Sequence, residues 1–436
     1  MSKEEIPKFI LISVFFASIL LLFPNINIKN LPLLIFSIFI FYFLIKRYME
    51  DVWEEKNFFV YFGVLFFWIL LSFIFKSLNL SEFSYTYPWL VGILFFVFDW
   101  RISFITSLYL ATIIGFMNSN FYFIFIVLIS ILIFPKMKRN FGGIIKSLGI
   151  LFALSFTLAI LKEKLYHQDV MNVFIILRDV FISSSISVLG IFITIPYMEK
   201  WFKIITKFKL FELSNLSEGL LKELKNKAPG TFQHSYMVAN LAAAAAEAIG
   251  ADSLLTRVGA YYHDIGKMLN PIYFIENLPA NSSNPHEKLS PLKSVQYIKE
   301  HVTEGVKLAR RHYIPEKIIR FISTHHGKQL IKQFYKKALE MGLKVKEEDF
   351  RYPGPLPESK EEGICMLADC VEAAVRANPE KTKEKIKKTV EEIIEEKQKN
   401  GDLQKVNFSY TEIIKIKKAF MDVLLGTYHS RLEYKK

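Results

Sequence analysis

Tyr261-Tyr262-His263-Asp264-Ile265-Gly266-Lys267 decides how this chain is read. An imidazole and a carboxylate stand side by side, followed by a glycine and a cation. The run Leu254 to Tyr262 leads into the pair as a helix, and the alanine-rich helix before it, Leu241 to Ile249, ends at Gly250. Adjacent helical residues diverge by about 100°, so His263 and Asp264 cannot share one exposed helix face. They suit a site across the end of a helix, where the two oxygens of a carboxylate can address two metal ions. A His-Asp dipeptide alone is a common accident. Its weight depends on the rest of the chain.

Composition divides that chain. Of 436 residues 52% are hydrophobic and 41 are Phe, yet residues 1–197 hold the long apolar runs while 198–436 read as an ordinary charged protein. The formal charge of +13 forms no basic cluster interleaved with aromatics, so binding to DNA or RNA is not expected. Much of the excess reads as lysine and arginine flanking membrane helices on the cytoplasmic side. Cys365 and Cys370 form no CxxC pair and are too few for a disulfide framework. A reducing compartment fits, with both as small buried hydrophobes.

Eight apolar segments are candidate membrane spans: Ile10–Leu22, Leu31–Ile45, Phe58–Phe75, Pro88–Phe98, Ile102–Met117, Phe121–Ile133, Ile144–Leu161 and Val170–Tyr197. Crossing about 30 Å of hydrocarbon takes roughly 20 residues, so several need flanking residues or tilt. Pro88–Phe98 fits a short or re-entrant helix equally well. Ile10–Leu22 follows Lys3 and Lys8 as a signal peptide would, but Pro24-Asn25-Ile26 replaces a small-residue cleavage site, so an uncleaved anchor is expected. Lys46-Arg47, Arg101 and Lys136-Met137-Lys138-Arg139 alternate with poorer loops such as Ser77–Tyr87, which places the N-terminus and residues 198–436 inside. Lys162 and Lys164 run against that rule. Arg178 and Asp179 fall in the last apolar stretch, either as a buried functional pair or, on the plainer expectation, ahead of a helix that begins only after them. The outer loops are short, with no room for a sensor domain. Residues 198–227 are expected to be an amphipathic connector, able to lie along the inner membrane surface or to serve as a spacer.

Eight of the nine histidines follow residue 197. His234 opens the alanine-rich helix; His301 lies within Glu300–Gly305; His325-His326-Gly327 ends the helix Ile318–Thr324; Asp369 sits on the apolar helix Met366–Ala373. With His263 and Asp264 these give five His and two Asp, more than the four ligands that close a zinc shell. The set suits two adjacent ions shared by Asp264, and its imidazoles favour iron, manganese or zinc over calcium or magnesium. Two metals about 3.5–4 Å apart activate water and hold the attacking and leaving oxygens of an in-line phosphoryl displacement. The chemistry is therefore phosphoester hydrolysis. Singly, His234 or His301 would more often be a surface or core histidine, and Asp369 a packing partner for a cation. Order and company outweigh that. His286 is a loop residue outside the ligand set, and His312 and His429 have no supporting constellation.

The order H…HD…H…HH…D resembles that of the HD-domain metal-dependent phosphohydrolases. The chain resembles more closely the membrane-anchored HD phosphodiesterases of cyclic di-AMP, seven-transmembrane receptors with an intracellular HD hydrolase. The likeness is carried by Ala228-Pro229-Gly230-Thr231 with His234, Met237–Leu241, Gly259–Lys267, Tyr273–Asn277 and Asn284-Pro285-His286. It continues through Leu289-Ser290-Pro291, Thr324–Gly327, Arg351–Pro355 and Leu367-Ala368-Asp369 with Val371–Ala374. The resemblance implies one metal on His234, His263, Asp264 and Asp369 and a second on Asp264, His301, His325 and His326, with manganese or iron as the ions. It implies a catalytic part for Asp264 and for Lys267, the latter at a substrate phosphate or the leaving oxygen; a surface lysine is the plainer alternative. Arg376, two turns from Asp369, is a further phosphate contact, and Tyr352 a ring for a base to stack on. The Pro-Gly-Pro after Tyr352 more simply marks a rigid loop. The resemblance fails at two places: family members commonly carry a large extracellular domain after the first span, and Phe232-Gln233 stands where they often have Tyr-His.

The expected protein is all-α, a polytopic transmembrane helix bundle over residues 1–197 followed by a helical HD phosphohydrolase domain over 228–436. It is expected in the inner or plasma membrane of a bacterium, HD domain cytoplasmic, opening cyclic di-AMP to 5′-pApA. Its partners would be the cyclic dinucleotide and the lipid bilayer, with homo-oligomerisation left open. Cyclic di-GMP is the nearest competing substrate, but its hydrolases usually carry Gly-Tyr-Pro after the paired histidines, where this chain has Gly327-Lys328-Gln329. A non-catalytic nucleotide receptor would be expected to have lost ligands, and all seven are present. Lys381–Lys399 is expected to be a solvated charged helix, and Phe408–Leu425 an amphipathic one that closes the domain.

Overall fold

A computed structural model describes residues 5–22, 31–49, 55–78, 80, 86–98, 100–117, 122–134, 141–166, 173–202, 205–279 and 282–428. Among them every regular element is a helix, and extended backbone pairs only at an isolated bridge between Leu330 and Arg351. The chain divides into two units, Met1–Phe208 and Lys209–Lys436.

The described residues of the first unit form α1 (Glu5–Leu22), α2 (Leu31–Tyr48), α3 (Glu55–Ser77), α4 (Tyr87–Val97), α5 (Trp100–Met117), α6 (Tyr122–Ile133), α7 (Phe141–Tyr166) and α8 (Val173–Phe202). Three stretches are long and apolar enough to cross a membrane: Asn57–Ser77, Ile145–Lys164 and Val173–Glu199. α4 and α6, with 11 and 12 residues, reach only about 17 and 18 Å at 1.5 Å per residue. Aromatic side chains such as Phe15, Phe16, Trp68 and Tyr87 fill the interior, while Phe36, Phe43, Phe174 and Ile193 face outward. Glycines set the closest helix approach. A Cβ on Gly92 would lie 2.2 Å from Ile191 Cδ1, and one on Gly190 would lie 2.9 Å from Trp89 Cδ1, so α4 meets α8 through hydrogen rather than a side chain.

Arg178 and Asp179 correct the sequence expectation. They lie inside α8, which already begins at Val173. Arg178 Nε donates to Asp179 Oδ1 at 2.7 Å, and the buried carboxylate is thereby paired within its own helix. Pro24-Asn25-Ile26, Asp99 and Lys136–Arg139 lie outside the described residues.

The expected connector is built differently from a free amphipathic helix. α9 (Lys207–Leu213) and α10 (Gly219–Lys227) bury Leu210, Leu213, Leu220, Leu221 and Leu224. These leucines are spent on packing, while Phe211 on α9 stays exposed. α11 (Pro229–Ile249) starts with proline in its first turn and stops at Gly250, whose φ of 76° is left-handed. The Asp252 carboxylate accepts from Leu255 N–H at 2.9 Å and caps α12 (Ser253–Tyr262). Ser290, Ser359 and Thr382 cap α13 (Pro291–Arg311), α16 (Lys360–Ala377) and α17 (Lys383–Lys399) in the same way. α14 (Glu316–Thr324), α15 (Lys332–Glu340) and α18 (Tyr410–Tyr428) complete the unit. α11 packs on α12, α16 and α18, with Ala242, Ala243, Ala245 and Ala246 buried at the contact. The small side chains let the helix axes approach closely. α17 is more than a solvated face: Ile386, Val390, Ile394 and Lys397 are buried.

Candidate metal centre

His263 follows the last residue of α12, and Asp264 opens a 3-10 turn, Ile265–Leu269. The change of helix type turns the two adjacent side chains onto one centre. This turn presses on α13, because a Cβ on Gly266 would lie 1.8 Å from the His301 carbonyl oxygen. Only glycine fits. The same contact carries His301 to the His-Asp pair. A second close approach, a Cβ on Gly230 falling 1.8 Å from Glu276 O, brings the segment around Glu276 to the start of α11, which carries His234. His325 and His326 follow α14, and Asp369 comes from the middle of α16.

Main-chain carbonyls fix the tautomers. His263 Nδ1 is 2.6 Å from Ala260 O, His301 Nδ1 is 2.5 Å from Ile298 O, and His325 Nδ1 is 3.0 Å from Ile322 O. A carbonyl only accepts, so each Nδ1–H donates and each Nε2 presents its lone pair to the centre. There His263 Nε2 lies 3.2 Å from Asp264 Oδ2. His301 and His325 Nε2 lie 3.4 and 3.6 Å from Asp264 Oδ1 and 3.3 Å from each other. Two lone pairs at that separation repel unless a cation lies between them. Burial pushes His301 down to about 3, so that ring offers its lone pair rather than a proton.

Among the described residues His263 Nε2, Asp264 Oδ1 and His326 Nδ1 are buried with no hydrogen-bond partner. Native interiors rarely leave such atoms unmet without a ligand. Three groups bring their ligand atoms within 4.8 Å of one another: His301 with His325 and His326, His234 with His263 and Asp264, and His263 with His325 and Asp369. Imidazole nitrogens with carboxylate oxygens fit a divalent transition metal. The fold thus gathers all seven residues singled out in the sequence into one cluster.

Two carboxylates without an assigned role in the sequence complete it. Glu372, one helical turn beyond Asp369, hydrogen-bonds His234 Nδ1, while His234 Nε2 meets Asp369 Oδ1 at 3.0 Å. Burial would lower the pKa of His234, but Asp369 and Glu372 outweigh it and raise it to about 9. Glu276 accepts from Lys267 Nζ at 3.0 Å, and Asp264 Oδ2 accepts from the same ammonium at 2.7 Å. Against their desolvation, Lys267 and then His263 hold Asp264 well below the usual carboxylate range, and Asp264 and Glu276 hold Lys267 above the usual lysine value. Both glutamates lie in stretches that carry the sequence likeness, Tyr273–Asn277 and Val371–Ala374, but their roles were not legible there, because each is defined by a contact across 9 or 138 positions.

The remaining candidates fall around this cluster. Arg376 Nε is 3.6 Å from Glu372 Oε2. Tyr352 stacks on His326, with ring centroids 4.1 Å apart, so one of its faces already meets a histidine. His286 is held by Tyr273 O at 2.9 Å and joins none of the three groups. His429 lies outside the described residues. A cavity of about 720 Å³ opens over the cluster, with His234, Lys267, His301, His326, Tyr352 and Asp369 on one wall and Gln329, Arg376, Lys397, Asn400 and Asp402 among the others.

Comparison with known proteins follows the same lines. Residues 231–374 match the family model of the HD domain. Over 252 residues, 58% of this chain and 35% of the relative, the chain is 45% identical to Cyclic-di-AMP phosphodiesterase PgpH of Bacillus subtilis (strain 168). It is 44% identical over 240 residues, 55% of this chain and 33% of the other, to the protein of that name from Listeria monocytogenes. The crystal structure of the L. monocytogenes PgpH HD domain covers 49% of this chain and 100% of its own, with a TM-score of 0.47 and 44% identity. A second crystal structure, of that domain in complex with cyclic-di-AMP, gives 0.47 and 45% and covers 49% of this chain and 99% of its own. The chain spans about a third of the length of the curated relatives it matches. Residues 231–374 belong to the HD domain family, in a chain whose other unit carries helices able to cross a membrane.

Proposed function

We propose that this chain is a membrane-bound, metal-dependent phosphodiesterase that hydrolyses cyclic di-AMP to linear 5′-pApA. One observation carries the reading: five histidines and two aspartates converge on one cluster, three of its buried ligand atoms lack a hydrogen-bond partner among the described residues, and His234, His301, His326 and Asp369 line a cavity of about 720 Å³. A space of that size takes a ligand of dinucleotide dimensions. The sequence likeness to proteins named cyclic-di-AMP phosphodiesterase supports the choice of base.

In this reading His234, His263, Asp264 and Asp369 hold one divalent ion, and Asp264, His301, His325 and His326 the other, both manganese or iron. Bound there, the ions supply a nucleophile from water near neutral pH and charge stabilisation for a phosphoryl transition state. Asp264 turns Oδ2 to His263 and Oδ1 to His301 and His325, so one carboxylate serves both halves. Glu372 orients the His234 ring through Nδ1. Lys267 keeps its proton and presents an ammonium at the cavity wall, where it meets a phosphate oxygen and steadies the leaving oxygen. Arg376 is a further phosphate contact from α16. On the basic residues Lys46, Arg47 and Arg101, the HD domain lies on the cytoplasmic side of a bacterial inner or plasma membrane.

The test uses the full chain in detergent micelles with manganese or ferrous iron, offered cyclic di-AMP beside cyclic di-GMP, with Asp264→Ala as control. Metal-dependent release of pApA, lost in the control, is expected. Turnover of cyclic di-GMP alone would overturn the substrate and leave the metal centre standing. Tight nucleotide binding with no turnover of either would instead mark a receptor.

A further inference from the structure

Lys397 does not behave as its sequence context predicts. It lies on α17, the most charged helix of the chain, yet it is 4% exposed and lines the cavity that opens over the histidines. A buried ammonium is costly unless its donors are met. Lys397 Nζ donates to Gln329 Oε1 at 2.9 Å and pairs with Asp402 Oδ2 at 3.2 Å. The ammonium is thus held between an amide oxygen and a carboxylate.

The consequence falls on Gln329. An ammonium only donates, so the atom it touches is the carbonyl oxygen of the side-chain amide, and the amide cannot flip. The backbone of Gln329 is pinned as well, its N–H donating to His326 O and its C=O accepting from Tyr352 N–H, both at 3.0 Å. Its Nε2 has no hydrogen-bond partner among the described residues, and the side chain lines the cavity. One donor and one acceptor thus stand side by side in fixed order, on the chain segment that follows His326.

We propose that Gln329, oriented by the Lys397–Asp402 pair, reads the substrate base and selects adenine over guanine. Nε2–H donates to N7 and the second lone pair of Oε1 accepts from the 6-amino group, the two-point match of a glutamine amide to adenine. Guanine offers acceptors at both N7 and O6, which sets O6 against Oε1. Lys397 is already committed to Oε1 itself and to the Asp402 carboxylate. Of the arginines on the cavity wall, Arg351 is held by Glu347, and Arg376 lies beside Glu372 and is assigned above to a phosphate. This inference rests on the cyclic dinucleotide reading above.

Its test compares kcat/KM of the full, manganese-loaded chain in detergent on four compounds: cyclic di-AMP, cyclic di-GMP, cyclic di-IMP and bis(p-nitrophenyl) phosphate, which has no base. Gln329→Leu is expected to lower the value for cyclic di-AMP by about ten- to a hundredfold and to erase most of the preference over the 6-oxo substrates. Hydrolysis of bis(p-nitrophenyl) phosphate stays unchanged. Gln329→Arg, which presents two donors, is expected to turn the preference toward cyclic di-GMP. A wild type that prefers cyclic di-AMP and a Gln329→Leu variant that keeps the preference would overturn this inference alone. So would an equal loss on bis(p-nitrophenyl) phosphate, which would make Gln329 a support of the metal centre. A wild type that cleaves bis(p-nitrophenyl) phosphate but no cyclic dinucleotide would sink the substrate reading and this inference with it.

Discussion

The two units bury opposite things. In residues 5–202 aromatic and aliphatic side chains fill the interior and also cover the outside, as Phe43, Phe174 and Ile193 show. In residues 209–428 the outside is charged, and seven titratable ligand candidates sit at the centre. One rule accounts for both. A polar atom away from water must find a partner. A helix in hydrocarbon meets the rule with its own backbone, and the first unit pairs its fully buried Asp179 with the preceding residue, Arg178. Among the described residues, buried atoms without a hydrogen-bond partner occur in both units, Trp68 Nε1 and Ser107 Oγ among them. In the second, however, three ligand atoms, His263 Nε2, Asp264 Oδ1 and His326 Nδ1, fall in one cluster of histidines and aspartates, and that convergence marks a site suited to a cation.

Four experiments can break or sharpen that contrast. The largest effect is expected from Gly266→Ala, which drives a Cβ to 1.8 Å from the His301 carbonyl. A loss of about 3 kcal/mol or more should follow, read as a fall of roughly 10 °C in the melting temperature of the HD unit. Unchanged melting would show that the 3-10 turn is not tied to α13.

Next come two leucines of matched exposure, Leu70 at 53% on α3 and Leu339 at 51% on α15. Lysine in place of Leu70 should cost about 3 kcal/mol of membrane insertion, seen as loss of protein from the membrane fraction. Lysine in place of Leu339 should stay within about 0.5 kcal/mol. Equal tolerance at both positions would remove the claim that the units face different solvents.

Glu372→Gln keeps the shape but loses the charge behind His234, so metal affinity or activity should fall about 10- to 100-fold, with the fold unchanged by circular dichroism. The smallest effect is on pH. His234 is raised to about 9 without metal, so below that value a metal must displace its proton. Apparent manganese affinity should therefore rise with pH, by up to about tenfold per unit between pH 7 and 9, and level off above. Calorimetry in two buffers would show the proton released, and a pH-independent affinity would assign that shift to some other group.

Much of this protein was written in its sequence. Apolar runs set by the length of a bilayer and helices bounded by Pro229, Gly250, Asp252 and Ser290 depend on residues near one another in the chain. The seven ligand candidates were legible because histidine and aspartate are rare enough in apolar helices for their order to carry information. What the tertiary structure alone decided depends on distance through space. Glu372 reaches His234 across 138 positions, and Gln329 meets Lys397 across 68. Lys397 reads as solvated because local sequence reports charge and helix phase, whereas burial depends on what another segment brings to that face. The pairing of Glu276 with Lys267 and the two carbonyl contacts at Gly230 and Gly266 were hidden for the same reason. Sequence specified which chemistry is present. Packing decided which lone pairs point inward, and at what.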